Sequence, residues 1–249
     1  MSLQELEQGL LRALAFHVAL GYAPTEVELI ASWDRGLSLD IFSPSWKEVK
    51  SVLYDLVKEK RVIVMRGRCV FPGQESLVFE HERRETFFPR KIRRAKQVVD
   101  WLSRLAGVRF VALCNTTALA HARDESDLDF FIVTQGGALW QTRGLAALPF
   151  KLLGLRPHAS EWAERDAVCF SFFVDDTALD LTSLQLPSDD PYFRHWFLSL
   201  LPLYDDGVGD ALWKANTSIT HNHPLALQWI SHLELTKNVP LIRIPTMGS

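Results

Sequence analysis

A chain of 249 residues with 47% apolar content is long enough for one large core or two modest ones, which excludes disorder as its default state. With 27 Lys and Arg against 30 Asp and Glu the net charge is -3, so any polyanion contact must rest on a local basic patch. Cys69, Cys114 and Cys169 lie far apart with no C-x-x-C spacing, which speaks against a zinc site and against a disulfide framework and fits a reducing, cytoplasmic setting.

Residues 3–20 place Leu3, Leu6, Leu10, Leu14 and Val18 at three- and four-residue steps, the spacing of one buried helix face. The start at Met1 has no basic segment followed by an apolar run. Nowhere do about 18 apolar residues run together, so neither a signal peptide nor a membrane span is expected. Gly21 to Pro24 breaks the first helix, and Thr25 with Glu28 forms a capping box that starts a second through Leu29, Ile30 and Trp33. Ser45 with Glu48 starts a third through Val49, Val52, Leu53, Leu56 and Val57. Residues 61–65 and 69–71 read as two strands joined across Arg66, Gly67 and Arg68, where glycine supplies positive φ. Three helices followed by a hairpin resemble a winged helix-turn-helix module. Pro72, Gly73 and Gln74 mark its boundary.

Between residues 80 and 105 a basic run, Arg83, Arg84, Arg90, Lys91, Arg93, Arg94 and Lys96, leads into Val98, Val99, Trp101, Leu102 and Leu105, the pattern of a basic helix with one buried side. Residues 108–113 and 128–134 are β-rich apolar runs expected as buried strands. Gly136 and Gly137 end the second of these, a helix over 138–153 follows, and a third strand spans 167–174. After Pro187 the composition turns helical and aromatic, with Tyr192, Phe193, Trp196, Phe197, Trp213 and Trp229.

The chemistry concentrates in Ser126-Asp127-Leu128-Asp129. Period-two alternation sets Asp127 and Asp129 side by side on one strand face while Leu128 points away. Two such carboxylates repel each other without a cation, and Mg²⁺ favours a few carboxylates plus substrate phosphate oxygens. A metal so held orients a nucleoside triphosphate and neutralises charge as the α-phosphorus is attacked.

Over residues 106–180 the chain resembles the DNA polymerase β superfamily of nucleotidyltransferases, whose mark is a strand, a Gly-Ser turn, a short helix and a Ser-Asp-x-Asp strand. The resemblance implies that Asp127 and Asp129 hold Mg²⁺ or Mn²⁺, with Ser126 beside them. It places Asn115 and Thr116 where the family has Gly and Ser, so a hydroxyl remains for phosphate, and Asn tolerates the left-handed backbone for which glycine is used. Arg123 or Arg143 would neutralise the outer charge of the triphosphate. The family's third carboxylate sits on a neighbouring strand. Here the expected face of that strand shows Cys169, Ser171 and Phe173, and Asp175, Asp176 and Asp180 follow it as candidates to swing inward.

The expected architecture is therefore α+β or α/β: a winged helix over 1–74, a basic connecting helix over 75–105, a mixed-sheet nucleotidyltransferase core over 106–186 and a helical C-terminal region over 187–249. The leading expectation is a Mg²⁺-dependent transfer of a nucleoside monophosphate from a triphosphate to a hydroxyl of an unknown acceptor. Alternatives are an inactive or weakly active fold used as a nucleotide sensor or DNA-binding regulator, and a toxin-like RNA-modifying transferase. Lys47, Lys50, Arg66 and Arg68 are the candidate DNA contacts of the winged helix, and the basic run over 83–96 is either a nucleic-acid contact or a solvated helix face. His221, His223 and His232 are read as surface loop residues because no Cys or carboxylate supports them at ligand spacing.

Overall fold

The computed structural model describes residues 2–36, 43–152, 165–187, 190–221 and 223–226. They fall into two compact units, one of residues up to Arg83 with the stretch that begins at Ser218, the other of Arg84–Thr217.

The first unit opens with α1 (Leu3–Ala19), α2 (Glu26–Ala31) and α3 (Trp46–Lys58). Each begins with a serine or threonine whose hydroxyl accepts from the third helical amide, while the glutamate there reaches back to the cap: Ser2 with Glu5, Thr25 with Glu28, Ser45 with Glu48. The last two pairs are those expected from the sequence. Hairpin strands β1 (Ile63–Met65) and β2 (Arg68–Val70) follow, in register Met65 to Arg68. The two turn residues, Arg66 at φ 52 and Gly67 at φ 75, both take the left-handed conformation that suits a two-residue hairpin turn. Leu6, Leu10 and Leu14 of α1 meet Leu29, Ile30, Trp33, Val49, Leu53 and Leu56 in one core, whereas Leu3 is exposed.

Gly9 matters to this core through its missing side chain. A Cβ there would lie 2.2 Å from Nε1 of Trp33, which is buried and donates that N–H to the Leu6 carbonyl at 3.0 Å. Gly9→Ala is expected to destabilise the unit by about 1–3 kcal/mol, because the overpacking outweighs alanine's better helix propensity. Urea denaturation reads this directly, and a variant as stable as wild type would show that the Trp33 ring yields.

Helix α4 (Ser76–Glu85) ends the first unit and its last two residues open the second. The single connecting helix expected over 75–105 is in fact two, because α5 (Phe88–Leu102) starts afresh with Pro89 in its first turn, where a missing N–H costs nothing. The second unit continues with β3 (Val108–Leu113), α6 (Asn115–Ala118), β4 (Leu128–Thr134), α7 (Leu139–Leu152) and β5 (Val168–Asp175). After a 3₁₀ turn at Thr182–Leu184 come α8 (Pro191–Leu198), β6 (Leu201–Asp205) and α9 (Gly209–Ala215), and then α10 (Thr217–Thr220), whose residues from Ser218 on belong to the first unit.

The sheet is mixed and its order is β5-β4-β3-β6, with β3 antiparallel to both β4 and β6 and β4 parallel to β5. One face, carrying Val111, Leu113, Leu128, Phe130, Ile132 and Phe170, buries against Val98, Val99 and Leu102 of α5 and Ala146 and Phe150 of α7. On the other face Phe131 meets Phe172 and Trp196 of α8. β6 corrects the expectation of an all-helical region beyond 187. Pro202 reads as a strand breaker, yet it sits on the edge strand, where the lost N–H need not enter a ladder. Leu153, Trp229 and His232 lie outside the described residues.

Candidate functional site

Alternation along β4 sends Leu128, Phe130 and Ile132 into the core under α5 and α7, and leaves Asp129 and Phe131 on the face beneath α8. The parallel neighbour β5 places Cys169 opposite Asp129. One ligand atom each from Asp127, Asp129 and Cys169 lies within 4.8 Å of the others, all three residues half-buried. Ser171 donates its hydroxyl to Oδ1 of Asp129 at 2.5 Å. The register of β4 on β5 shifts between Asp129 and Phe131, so β5 carries one extra residue there. That bulge changes the expected face: Phe172 follows Ser171 beneath Trp196, at 5.6 Å, while Phe173 turns to the core.

The electrostatics of this corner are those of a site short of positive charge. Burial raises Asp127 above the usual carboxylate range, and the neighbouring Asp129 adds to the rise, with Lys91 opposing it. Burial likewise raises the Cys169 thiol, and both aspartates push the same way. A cation within reach of all three groups would relieve these penalties together. The donor set, two carboxylates and a thiol on half-buried residues, fits a divalent ion that takes the rest of its coordination from water or substrate.

The segment that delivers the carboxylates is anchored from α5. Lys91, only 1% exposed, donates to the Ser126 carbonyl at 2.6 Å and to Oδ1 of Asp166 at 2.8 Å. Arg90 bridges two acids, reaching Asp166 at 2.7 Å through Nε and Asp124 at 2.6 Å through Nη1. Asp166, at φ 58 just before β5, takes a left-handed conformation that Asp tolerates better than most residues. The start of β4 and the approach to β5 are thus fastened to one helix.

The remaining expected residues divide clearly. Asn115 adopts φ 58, the left-handed conformation anticipated for the glycine position of the turn, and Thr116 beside it is exposed. Ser126 lies in the anchored segment, its hydroxyl donating to the Arg123 carbonyl at 2.9 Å, while Arg123 itself is exposed. Arg143 is not brought to the carboxylates. Its guanidinium lies over Trp140 and over Phe173, whose ring belongs to the opposite face of the sheet. None of the later acids completes the set, since Asp175 ends β5 six residues beyond Cys169 and binds the Gly137 amide and Thr177. Asp176 pairs with Arg109, and Asp180 caps Thr182.

In the first unit Lys47 and Lys50 are exposed on α3 and Arg66 pairs with Glu82 at 2.8 Å. Arg68 is a correction to the expected DNA contacts: it is 8% exposed and donates inward to the Ala23 carbonyl. Within the basic run, Arg83 pairs with Glu80, Arg84 bonds His121, and Arg90 and Lys91 serve the anchor just described. His223 corrects the surface reading of the histidines, being fully buried, whereas His221 is exposed beside Arg35.

Cys169 and the Lys91–Asp166 pair were not assigned functional places from sequence. The alternating face of Cys169 and Ser171 was a usable signal for the first. A buried lysine whose partner lies 75 residues away has no local signal. Comparison with protein-family models, with curated proteins and with solved structures gives no match.

Proposed function

We propose that the chain is a nucleotidyltransferase of the polymerase β type that binds a nucleoside triphosphate with Mg²⁺ or Mn²⁺ at Asp127 and Asp129. The observation that carries the reading is the convergence of these two carboxylates at the start of β4, next to Cys169 on parallel β5. The element order α5, β3, α6, β4, α7, β5 and the left-handed turn at Asn115 support it, because they match the strand, turn, short helix and acidic strand of that superfamily. When bound, the metal would orient the triphosphate and offset the charge that develops at the attacked phosphorus. Thr116 is exposed on the segment between β3 and β4 and would offer its hydroxyl to phosphate oxygens, and Trp196 packs on Phe131 of the acidic face. The winged-helix reading of the first unit rests on three capped helices followed by a two-stranded hairpin, with Lys47, Lys50 and Arg66 left as its candidate DNA contacts.

A second reading, a nucleotide-binding fold without turnover, is favoured by one specific feature. Cys169 and Ser171 stand on β5 beside Asp129, where the family's third carboxylate would be, and Asp175, Asp176 and Asp180 are engaged elsewhere. Calorimetry with each nucleoside triphosphate, with and without Mg²⁺, tests the shared part of both. Metal-dependent binding is expected in wild type, with at least a tenfold loss in an Asp127→Asn, Asp129→Asn double variant, and no binding of any triphosphate overturns both readings. Pyrophosphate release then separates them: turnover abolished by Asp127→Ala supports transfer, and binding without release supports the sensor.

A further inference from the structure

We infer that the pocket between α5 and the approach to β5 is a second binding site, for a phosphomonoester group, separate from the proposed metal-binding corner. The pocket has a volume of about 370 Å³ and is lined by Arg90, Arg93, Arg94, Gln97, Arg165 and Asp166. That is within the range of small-ligand sites, and a concavity of guanidinium groups differs from the extended stripe that suits a duplex backbone.

The charge balance under the pocket is one-sided. Among the described residues, Arg90, Lys91, Arg93, Arg94 and Arg165 gather around two carboxylates, Asp124 and Asp166. Asp166 takes Arg90 and Lys91, and Asp124 takes Arg90 and Arg165, so the anions are consumed in holding the floor. Arg93 and Arg94 are left with no carboxylate partner among the described residues; Arg94 makes only a long hydrogen bond to Gln97 at 3.4 Å. Arg165 spends one Nη2 contact on Asp124, its one ion-pair partner among the described residues. Like charges set side by side on one wall repel unless an anion joins them, and a dianion with three acceptor oxygens matches forked guanidinium donors better than a carboxylate does. Because Arg90 is fixed on two sides, the floor is built before the ligand arrives, which lowers the ordering cost of binding.

A free phosphorylated metabolite and the 5′-terminal phosphate of a nucleic acid both present this group. The test uses the full chain in EDTA at low ionic strength, so that the metal-binding corner contributes nothing and screening is small. Inorganic phosphate and two pentanucleotides, one 5′-phosphorylated and one 5′-hydroxyl, are titrated by calorimetry against wild type and an Arg93→Gln, Arg94→Gln double variant whose folding is checked by denaturation. Phosphate binding that weakens at least tenfold in the variant supports the site. A preference for the phosphorylated oligonucleotide then assigns the group to a nucleic-acid end, and equal or absent oligonucleotide binding assigns it to a small molecule. No phosphate binding, or binding unchanged in the variant, overturns the inference, as does oligonucleotide binding that ignores the 5′ end in the absence of phosphate binding. None of these results depends on whether triphosphates bind at Asp127 and Asp129.

Discussion

Asp166→Ala is expected to destabilise the protein by about 3–5 kcal/mol, the cost of leaving one member of a buried ion pair without its partner. Lys91 is 1% exposed and its ammonium has two oxygen partners, Asp166 and the Ser126 carbonyl. A single neutral carbonyl cannot replace a carboxylate in offsetting a buried positive charge. The pH behaviour of Asp166 points the same way. Burial would raise its carboxyl, yet the hydrogen bonds and charges of Arg90 and Lys91 outweigh this and hold it below the usual range. Its contribution is therefore complete above the ordinary aspartate range and is lost as pH falls through the lowered value. Asp124 makes a useful control, since its pairs with Arg90 and Arg165 are more exposed and Asp124→Ala should cost far less than Asp166→Ala. Chemical denaturation of both variants, together with Lys91→Met, Asp166→Ala, checks the argument. The double variant should recover part of the loss by removing the stranded charge, and an Asp166→Ala cost no larger than that of Asp124→Ala would mean that Lys91 finds water or another partner. Because Lys91 also fastens the Ser126 carbonyl, the proposed function adds that metal-dependent triphosphate binding weakens along with stability in Asp166→Ala.

How much of this was legible in the sequence follows the range of the forces concerned. Strands β3 and β4 occupy the expected residues because β-rich apolar runs, interrupted only by Arg109 and Asp129 before the final Thr134, report burial without help from distant residues. The capping boxes at Thr25 and Ser45 are equally local, each closed over three residues. Asn115 is legible for the same reason, since a residue that tolerates positive φ is itself the signal. The face of β5 was read only as far as Ser171, because strict alternation cannot foresee a bulge whose cause is the register against β4. Strand β6 lies in a stretch whose aromatic composition reads as helical, and Pro202 is tolerated there by an edge position that only the sheet order defines. Arg68 was read as a DNA contact and Lys91 as part of a nucleic-acid contact or a solvated face, since local sequence shows a charge but not the carboxylate or carbonyl that waits for it elsewhere.

The first unit should lose stability in mildly acidic solution through His17. Burial pushes this imidazole down to about 4, and the nearby His223 adds to the shift, from an unfolded value of 6.5. The Ser32 hydroxyl donates its one proton to the Glu28 carbonyl at 2.7 Å, so Nε2 of His17, 3.0 Å from that hydroxyl, is the donor between them, and the lowered value keeps the ring neutral near pH 7. Above pH 6.5 neither the folded nor the unfolded ring is charged and the group is silent. As pH falls below 6.5 the unfolded chain takes up a proton that the folded one refuses until about 4, and stability declines across that window. At 1.36 kcal/mol per pH unit the loss by pH 4.5 is about 2–3 kcal/mol. Tyr22 lies against the same ring, and His81 and His223 are buried in the same unit, so the wild-type slope alone mixes several groups. The clean readout is the difference between wild type and His17→Leu, followed by urea denaturation at pH 7 and pH 4.5. The variant is expected to lose about 2–3 kcal/mol less than wild type between these two conditions, and an equal loss in both would place the acid sensitivity of the unit on groups other than His17.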